Sequence, residues 1–372
     1  VNHRECCAVL REILGQRCQP NNGCWGGPVK ESRKILIVLL LAMMTGSCAD
    51  SMDIDAFTKP RYEAGRQRGV QLCATCHEDI YNQWSRRSRH SQATKSPSFR
   101  HSLDELKSNV FLAGIVKESM CYSCHGNKAR DQGVNCETCH GRPLAGVPIE
   151  TSHAKKFTPR LKTMRKAGFC AKCHEAKAPV TGDSFTSLYS EWRQSKAAAK
   201  GVTCQRCHMA KRGDDTHAYH GFDSAVRDVK IYRGDLRIVN IAFSPPALHL
   251  SIENRIEGHS IPASGPTRIL ALETALEDAA GQVLHQQSEK FYKRFSMLPI
   301  VGGVPLWLTD NSQLHSGERR RIRLTLPEDQ LARSIKLVIV LRMYEVADKH
   351  QGDIGKAHWK SEPIVRRVLK IH

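Results

Sequence analysis

Five copies of the pentapeptide Cys-x-x-Cys-His constrain this chain more than any other feature of its sequence. They begin at Cys73, Cys121, Cys136, Cys170 and Cys204, at intervals of 48, 15, 34 and 34 residues. This pattern is the attachment signature of haem c, because two thiols bind one porphyrin and the adjacent histidine binds its iron. The sequence therefore predicts five covalently bound haem c groups. The predicted thioether cysteines are Cys73, Cys76, Cys121, Cys124, Cys136, Cys139, Cys170, Cys173, Cys204 and Cys207. The predicted proximal iron ligands are His77, His125, His140, His174 and His208.

Other uses of paired cysteines do not explain this pattern. A zinc ribbon combines two Cys-x-x-Cys units in one tetrahedral site, so five units would leave one over. A redox dithiol is typical of a single Cys-x-x-Cys in a βαβ unit. Disulfide formation does not require a histidine after every second cysteine. Only haem attachment accounts for the histidine that ends all five copies.

The net charge of +19 first suggests an anionic partner such as nucleic acid. Residues 48–227 carry 29 Lys and Arg against 18 Asp and Glu, and residues 228–372 carry 21 against 16. Five haems would bring about ten propionates into the first segment, because each haem carries two. The basic excess is therefore explained as counter-charge to propionates, and no nucleic-acid partner is predicted.

The segment before the motifs is typical of an export signal. Lys30, Arg33 and Lys34 precede an unbroken apolar run over 35–44. Such a run spans about 15 Å as a helix, half the hydrocarbon core of a membrane, so it is predicted to be a signal segment. Thr45-Gly46-Ser47-Cys48 then resembles a bacterial lipobox, with Thr45 where leucine is usual, which predicts lipidation of Cys48. The alternative is ordinary cleavage after Ser47-Cys48-Ala49.

Residues 1–48 are accordingly predicted to be a leader with a lipoprotein-type signal peptide. Residues 1–28 contain four cysteines and no apolar run, and Val29 is an alternative start that would make them an artefact of gene calling. The protein is predicted to be exported, as a periplasmic or outer-membrane lipoprotein of a bacterium. Its contact with the membrane would be the lipid on Cys48.

The residues after the signal divide into two parts with different patterns. Residues 60–227 are poor in apolar residues and rich in breakers, which predicts short helices and loops around the haems; segments 78–89 and 184–200 are predicted helices. Residues 228–372 contain no cysteine and show short alternating or β-branched segments, which predicts an antiparallel β-sandwich. The predicted strands are 235–243, 247–254, 268–278, 321–326 and 335–346. The predicted fold class is α+β, with a pentahaem domain over 60–227 and a β-sandwich domain over 228–372.

Several local patterns resemble the multihaem cytochrome family that includes the nitrifier tetrahaem cytochrome c and relatives in metal-reducing bacteria. The first motif is followed by Trp84, Ser88 and His90, and the third lies in the sequence 133–141, Gly-Val-Asn-Cys-Glu-Thr-Cys-His-Gly. The fifth motif follows Glu191-Trp192 and Gly201-Val202-Thr203, and precedes His217-Ala218-Tyr219-His220-Gly221. Gly258-His259-Ser260-Ile261-Pro262 is similar to a turn that opens the sandwich in some members. The resemblance covers roughly residues 70–280, but five motifs differ from the tetrahaem member.

The resemblance also implies the sixth, distal ligands of the haem irons. It favours His90, His153, His217 and His259. A fifth distal ligand is left open between His101 and His220.

Two functions remain at this point. The favoured one is an electron carrier whose closely spaced haems each have two axial histidines, with redox proteins or an extracellular acceptor as partners, and with oligomers or polymers possible. The alternative is a reductase or oxidase of a small nitrogen compound, in which one five-coordinate haem binds the substrate. Multihaem nitrite reductases of the usual kind mark that haem with lysine in place of the motif histidine. Since all five motifs here end in histidine, the carrier is favoured and no catalytic residue is predicted.

Overall fold

The computed structural model describes residues 70–74, 76–108, 118–126, 132–141, 161–177, 182–213, 215, 217–222, 229–232, 234–263, 265–297, 305–346 and 353–371. The predicted signal segment, Cys48 and His153 lie outside these ranges. Residues Tyr62–His372 form one compact unit. The predicted boundary between residues 227 and 228 falls outside the described ranges as well, and the division into two domains stays a prediction.

The part that carries the motifs is built from short helices. Their bounds are α1 (Gln71–Ala74), α2 (Glu78–Arg87), α3 (Pro97–Ser108), α4 (Glu118–His125), α5 (Cys136–His140), α6 (Ala171–His174), α7 (Leu188–Arg193), α8 (Lys196–Ala199) and α9 (Cys204–His208). Turns of 3-10 helix occupy His90–Lys95 and Ala167–Phe169, and a small hairpin joins β1 (Glu175–Lys177) to β2 (Ser184–Ser187). The predicted helix over 184–200 is wrong as a single element, because its start pairs with β1 and a turn separates α7 from α8.

The remaining strands are antiparallel. They are β3 (Leu236–Ser244), β4 (Ala247–Asn254), β5 (Arg268–Glu277), β6 (Val283–Phe291), β7 (Lys293–Met297), β8 (Pro305–Asn311), β9 (Arg319–Thr325), β10 (Lys336–Glu345), β11 (Trp359–Lys360) and β12 (Val365–Lys370). One sheet has the order β3-β4-β9, and another has the order β11-β10-β5-β6 with β12 also paired to β10. A short helix, α10 (Glu328–Leu331), connects β9 to β10, and β7 pairs with β8.

The two larger sheets share one apolar core. Leu248, Leu250 and Ile252 of β4 belong to the same buried cluster as Leu272 of β5 and Ile339 of β10. Apolar and polar residues alternate in β9, which is half exposed. The sequence of β10 is almost continuously apolar, which fits its central position in the larger sheet. The predicted α+β class is confirmed.

Around the motifs, by contrast, the apolar cluster is small. Phe99, Leu103 and Leu106 of α3 pack against Cys121 and Tyr122 of α4. Burying three such side chains contributes only about 5–9 kcal/mol. This fits the expectation that bound groups, and not side chains alone, complete the core of this part. In the described ranges no helix has the length and apolar content needed to cross a membrane.

Candidate haem sites

The Cys-x-x-Cys-His motifs lie in or directly after short helices. The third and fifth motifs are α5 and α9 themselves, and the second ends α4. In the first and fourth motifs the amide of the histidine donates to the carbonyl of the first cysteine, at 2.9 Å for His77 and 3.0 Å for His174. Residues i, i+3 and i+4 lie on one face of a helix, so both thiols and the imidazole point in the same direction. The motif therefore presents all three attachment groups to one porphyrin.

The segment before the third motif is fixed by two contacts. The indole N–H of Trp84 donates to the carbonyl of Val134 at 2.9 Å. Asn135 caps α5 through a capping box with Thr138. Gly133 has a φ of 62°, and a Cβ there would collide with the backbone carbonyl of His90. The sequence Gly-Val-Asn is thus needed to bring α5 against the segment that carries His90.

The fifth motif is held in the same way. The indole N–H of Trp192 donates to the carbonyl of Val202 at 2.8 Å, two residues before Cys204. Ser195 caps α8, accepting from the amide of Ala198. Trp84 and Trp192 therefore both fix the backbone at the start of a motif, a role that the sequence did not indicate.

Among the described residues, three pairs of a motif histidine and a second histidine have the separation that an iron between two imidazoles requires. The ring centres of His90 and His174 lie 6.0 Å apart, those of His140 and His220 lie 6.2 Å apart, and those of His208 and His259 lie 6.2 Å apart. Two metal–nitrogen bonds of about 2 Å, plus about 1 Å from each nitrogen to its ring centre, give about 6 Å. Each pair joins one motif histidine to one predicted distal histidine.

The surroundings of His90, His174 and His220 favour the neutral imidazole, the form that binds iron. Burial, followed by the nearby charges of His174 and His208, lowers the pKa of His90 to about 3. Burial, followed by the charges of His208, Arg268 and other histidines, lowers the pKa of His174 to about 4. Burial also lowers the pKa of His220. All three rings are therefore unprotonated at neutral pH.

The remaining predicted ligands are placed less completely. His217 has a buried Nε2 without a hydrogen-bond partner, and both His217 and His77 lie close enough to His220 to lower its pKa. An orphaned, buried imidazole nitrogen fits a ligand whose iron is supplied by a bound haem. The same observations bring His217 to the neighbourhood of the first motif.

Two further histidines have other neighbours. The ring of His125 stacks on Phe99 with centres 4.4 Å apart, and its Nδ1 lies 3.4 Å from the carbonyl oxygen of Ala93. His101 faces His358 with ring centres 6.4 Å apart at 49°, and neither belongs to a motif. His358 lies far from every motif along the chain, so its position beside His101 could not be predicted from the sequence. The role of His101 as a distal ligand, like that of His153, stays a prediction.

Sulphur contacts show which attachment sites are neighbours. The thiols of Cys73 and Cys136 lie close enough to shift each other's pKa, as do those of Cys170 and Cys204. The contact with Cys204, followed by burial, raises the pKa of the Cys170 thiol, and the nearby Cys139 adds to this effect. The sulphur of Cys124 lies 4.0 Å from the carbonyl oxygen of Lys172. These contacts place the attachment sites in the order of the first, third, fourth and fifth motifs. The site of the second motif lies beside that of the fourth.

The strands also take part in the sites. His259 lies between β4 and β5, where the side-chain amide of Asn254 donates to its carbonyl at 3.4 Å. The next amide, of Ser260, donates to the carboxylate of Glu191 in α7 at 2.7 Å. Near His90, the carboxylate of Glu345 at the end of β10 binds Arg89 at 2.8 Å. Both histidines are therefore held partly by contacts between the strands and the helical part.

Comparison with known proteins agrees with these sites. Residues 72–141, which span the first three motifs, match the model of the family described as cytochrome c554 and c-prime. A sequence search of the curated proteins gives no match.

Among solved structures, the fold is similar to that of a penta-haem cytochrome c552 from Thermochromatium tepidum. The TM-score is 0.57 at 20% sequence identity, over 82% of this chain and 98% of that chain. At this identity the likeness shows the fold. Together with the match over 72–141, it supports the interpretation of the chain as a multihaem c-type cytochrome with bound haem c.

Proposed function

We propose that the protein is an exported electron-transfer cytochrome that binds haem c at all five motifs, with two axial histidines at most of its irons. The observation that carries this proposal is the set of three histidine pairs 6.0–6.2 Å apart, each with one motif histidine. When bound, haem c supplies a one-electron iron couple. A pair of histidines would hold the iron of a bound haem from both sides, so that such a site would suit electron transfer and would leave no place for a substrate.

The residues of the chain have separate roles in this function. The motif cysteines would hold each porphyrin covalently, and the paired imidazoles would fix its iron in one ligation state. Histidine in place of methionine as the second ligand would keep the reduction potentials low. The order of neighbouring sites, one to three to four to five, supports a continuous route through the protein.

Export and anchoring are proposed on sequence grounds. Haem attachment takes place on the outer side of the bacterial inner membrane, which agrees with the predicted leader and signal peptide over 1–48. Lipidation of Cys48 would make the protein a periplasmic or outer-membrane lipoprotein. Its partners there would be redox proteins or an extracellular acceptor.

The number of haems is the first test. The pyridine haemochrome assay on matured protein should give five haems per chain, all surviving extraction with acidified acetone because thioethers are covalent. Cys136→Ser combined with Cys139→Ser should give four, since both covalent links of one site are removed. A value of four or fewer for the unmodified protein would contradict the proposal.

The coordination state separates a carrier from an enzyme. With both axial positions filled, the reduced protein should bind well under one carbon monoxide per chain and should not turn over nitrite or hydroxylamine at useful rates. Small redox dyes should still exchange electrons with it rapidly. Stoichiometric binding of carbon monoxide, with rapid reoxidation by nitrite or hydroxylamine, would instead favour a reductase or oxidase with one open iron.

A further inference from the structure

The residue that follows His259 fixes which nitrogen of its ring can bind iron. Nδ1 of His259 lies within hydrogen-bond distance of the carbonyl oxygen of Ser260, at 3.0 Å. Because a carbonyl oxygen can only accept, Nδ1 carries the proton and Nε2 keeps its lone pair. A backbone carbonyl is a usual partner for the second nitrogen of a metal-binding histidine. The ring of His259 is nearly parallel to that of His208, with 12° between the two planes.

The same residue, Ser260, is held from its other side by Glu191 of α7. The amide of Ser260 donates to Oε2 of Glu191 at 2.7 Å. Ser260 is 3% exposed, so water competes little for this hydrogen bond. A hydrogen bond to a charged acceptor is also stronger than one between neutral groups. The carboxylate of Glu191 therefore fixes the residue whose carbonyl orients the ring of His259.

A buried lysine in turn holds the carboxylate of Glu191. Nζ of Lys293, in β7, donates to Oγ of Ser187 at 2.7 Å, and the hydroxyl of Ser187 donates to Oε1 of Glu191. Lys293 is 4% exposed. Burial lowers the pKa of Lys293, and the charges of Glu191 and Glu175 oppose this effect. An ammonium group, a hydroxyl and a carboxylate thus form a continuous chain that ends at Ser260.

The neighbour of Glu191 in α7 holds the opposite side of the same site. The indole of Trp192 donates to the carbonyl of Val202 at 2.8 Å, directly before the fifth motif. Two adjacent residues of α7 therefore hold the segment before the motif and the turn that carries His259. A bound haem requires both imidazoles at a fixed separation, because each metal–nitrogen bond is about 2 Å long.

We propose that Glu191 is a positioning residue of the fifth haem site: it holds Ser260 so that His259 reaches the iron. This inference rests on the proposed electron-transfer function and deepens it by naming the group that keeps this site closed to other ligands. Glu191 acts through Ser260 and not by binding the iron itself. Its role depends on an oxygen acceptor at the reach of a glutamate side chain, and not on the negative charge.

One substitution removes the reach and keeps the charge. Glu191→Asp shortens the side chain by about 1.5 Å, one carbon–carbon bond, so it cannot hold Ser187 and Ser260 together. Loss of the hydrogen bond to Ser260 should weaken binding of His259 to the iron about tenfold or more. In a titration of the reduced protein, this variant should bind about one carbon monoxide per chain where the unmodified protein binds well under one. If Glu191→Asp matures poorly, Ser187→Ala should give a smaller gain in the same direction.

The conservative substitution removes the charge and keeps the reach. In Glu191→Gln the amide oxygen can still accept from Ser260, and the amide nitrogen can donate to Ser187. This variant should retain five haems, the low-spin ferric spectrum and the weak carbon monoxide binding of the unmodified protein. The reverse result, with carbon monoxide binding in Glu191→Gln and not in Glu191→Asp, would show that only the charge matters and would overturn the positioning role.

A carboxylate in a similar contact supplies the matched control. Asp183, directly before β2, accepts from the amide of Leu308 in β8 at 2.9 Å. Leu308 is not adjacent to a predicted axial ligand, so Asp183→Ala should keep five haems and a low-spin spectrum. Carbon monoxide binding equal to that of Glu191→Asp would mean that any loosened contact with a strand opens a site. That result would overturn the specific role of Glu191.

Combination with His259→Ala identifies the haem concerned. His259→Ala should bind about one carbon monoxide per chain, and adding Glu191→Asp should not raise this number, because both changes act on one iron. About two per chain in the combined variant would place the effect of Glu191 at another haem and overturn the proposal. If His259→Ala opens a site and Glu191→Asp does not, the positioning role is wrong and the proposed ligation stands. If His259→Ala opens no site, the proposed ligation of the fifth haem is itself wrong, and so is the role of Glu191.

Discussion

Replacing His90 with alanine should turn one haem from low-spin to high-spin and create one carbon monoxide site per chain. The ring of His90 lies 6.0 Å from that of His174, and both are neutral and buried at pH 7. Removing one imidazole leaves the proximal histidine in place, so haem attachment should persist while one axial position opens. The high-spin signal should appear in the ferric spectrum, and carbon monoxide binding should rise to about one per chain.

Exogenous imidazole distinguishes ligation from a structural role. Imidazole should enter the space left by His90 and restore the low-spin spectrum. If His90 only supported the packing of this region, added imidazole would not restore that spectrum. His220→Ala should open a second, separate site opposite His140, because those two rings lie 6.2 Å apart. His249→Ala is the matched control, since His249 is exposed on β4 and should change nothing. Unchanged spectra in both His90→Ala and His220→Ala would show that the pairs are not axial ligands.

The motif cysteines and their histidines could be assigned from sequence because haem attachment is a local pattern. Which histidine faces which motif depends on the folded chain, and no spacing rule contains it. His140, for example, faces His220, one of the two histidines between which the fifth distal ligand was left open. The intervals between the motifs likewise do not indicate that the first site lies beside the third and the fourth beside the fifth, as the contacts between their thiols show.

The prediction of strands from the sequence is limited in the same way, because pairing depends on the folded chain. β4 was predicted with its observed bounds, and β3, β5, β9 and β10 with small shifts, because apolar alternation marks strands that pack on a core. β6 lacks that alternation, because most of its side chains are partly or fully exposed. Its sequence is Val-Leu-His-Gln-Gln-Ser-Glu-Lys-Phe. Pairing with β5 makes it a strand. The hairpin of β1 and β2 was missed for the same reason.

Replacing Glu345 with glutamine should lower the free energy of unfolding by about 2–3 kcal/mol at pH 7. The Glu345 side chain is 6% exposed and that of Arg89 is 29% exposed, so the ion pair is largely removed from water. Ser98 also donates to the carboxylate at 2.9 Å. Glutamine keeps the size but not the charge, so the Arg89 charge loses this counter-charge. The loss should be measured by urea denaturation followed by far-ultraviolet circular dichroism.

The pH dependence follows from the direction of the pKa shift. Burial alone would raise the pKa of Glu345, but the charges of Arg89 and Arg268 and the hydrogen bonds from Ser98 and Ser96 outweigh it and lower that pKa. A carboxyl whose pKa is lowered by folding stabilises the protein above its unfolded pKa of about 4.5, and this contribution is lost as pH falls through the folded pKa. The difference between Glu345→Gln and the unmodified protein should thus be constant from pH 7 to about 5.5 and shrink below about 4.5.

A surface ion pair supplies the control for this prediction. Glu257 pairs with Lys200, and both side chains are about half exposed, at 45% and 58%. Glu257→Gln should therefore leave the free energy of unfolding almost unchanged, because solvent already screens the pair. Equal losses in the two variants would show that Glu345 acts only as a surface charge. A larger loss at Glu345 would show that the end of β10 stabilises the segment that carries His90, and hence that the strands stabilise the fourth haem site.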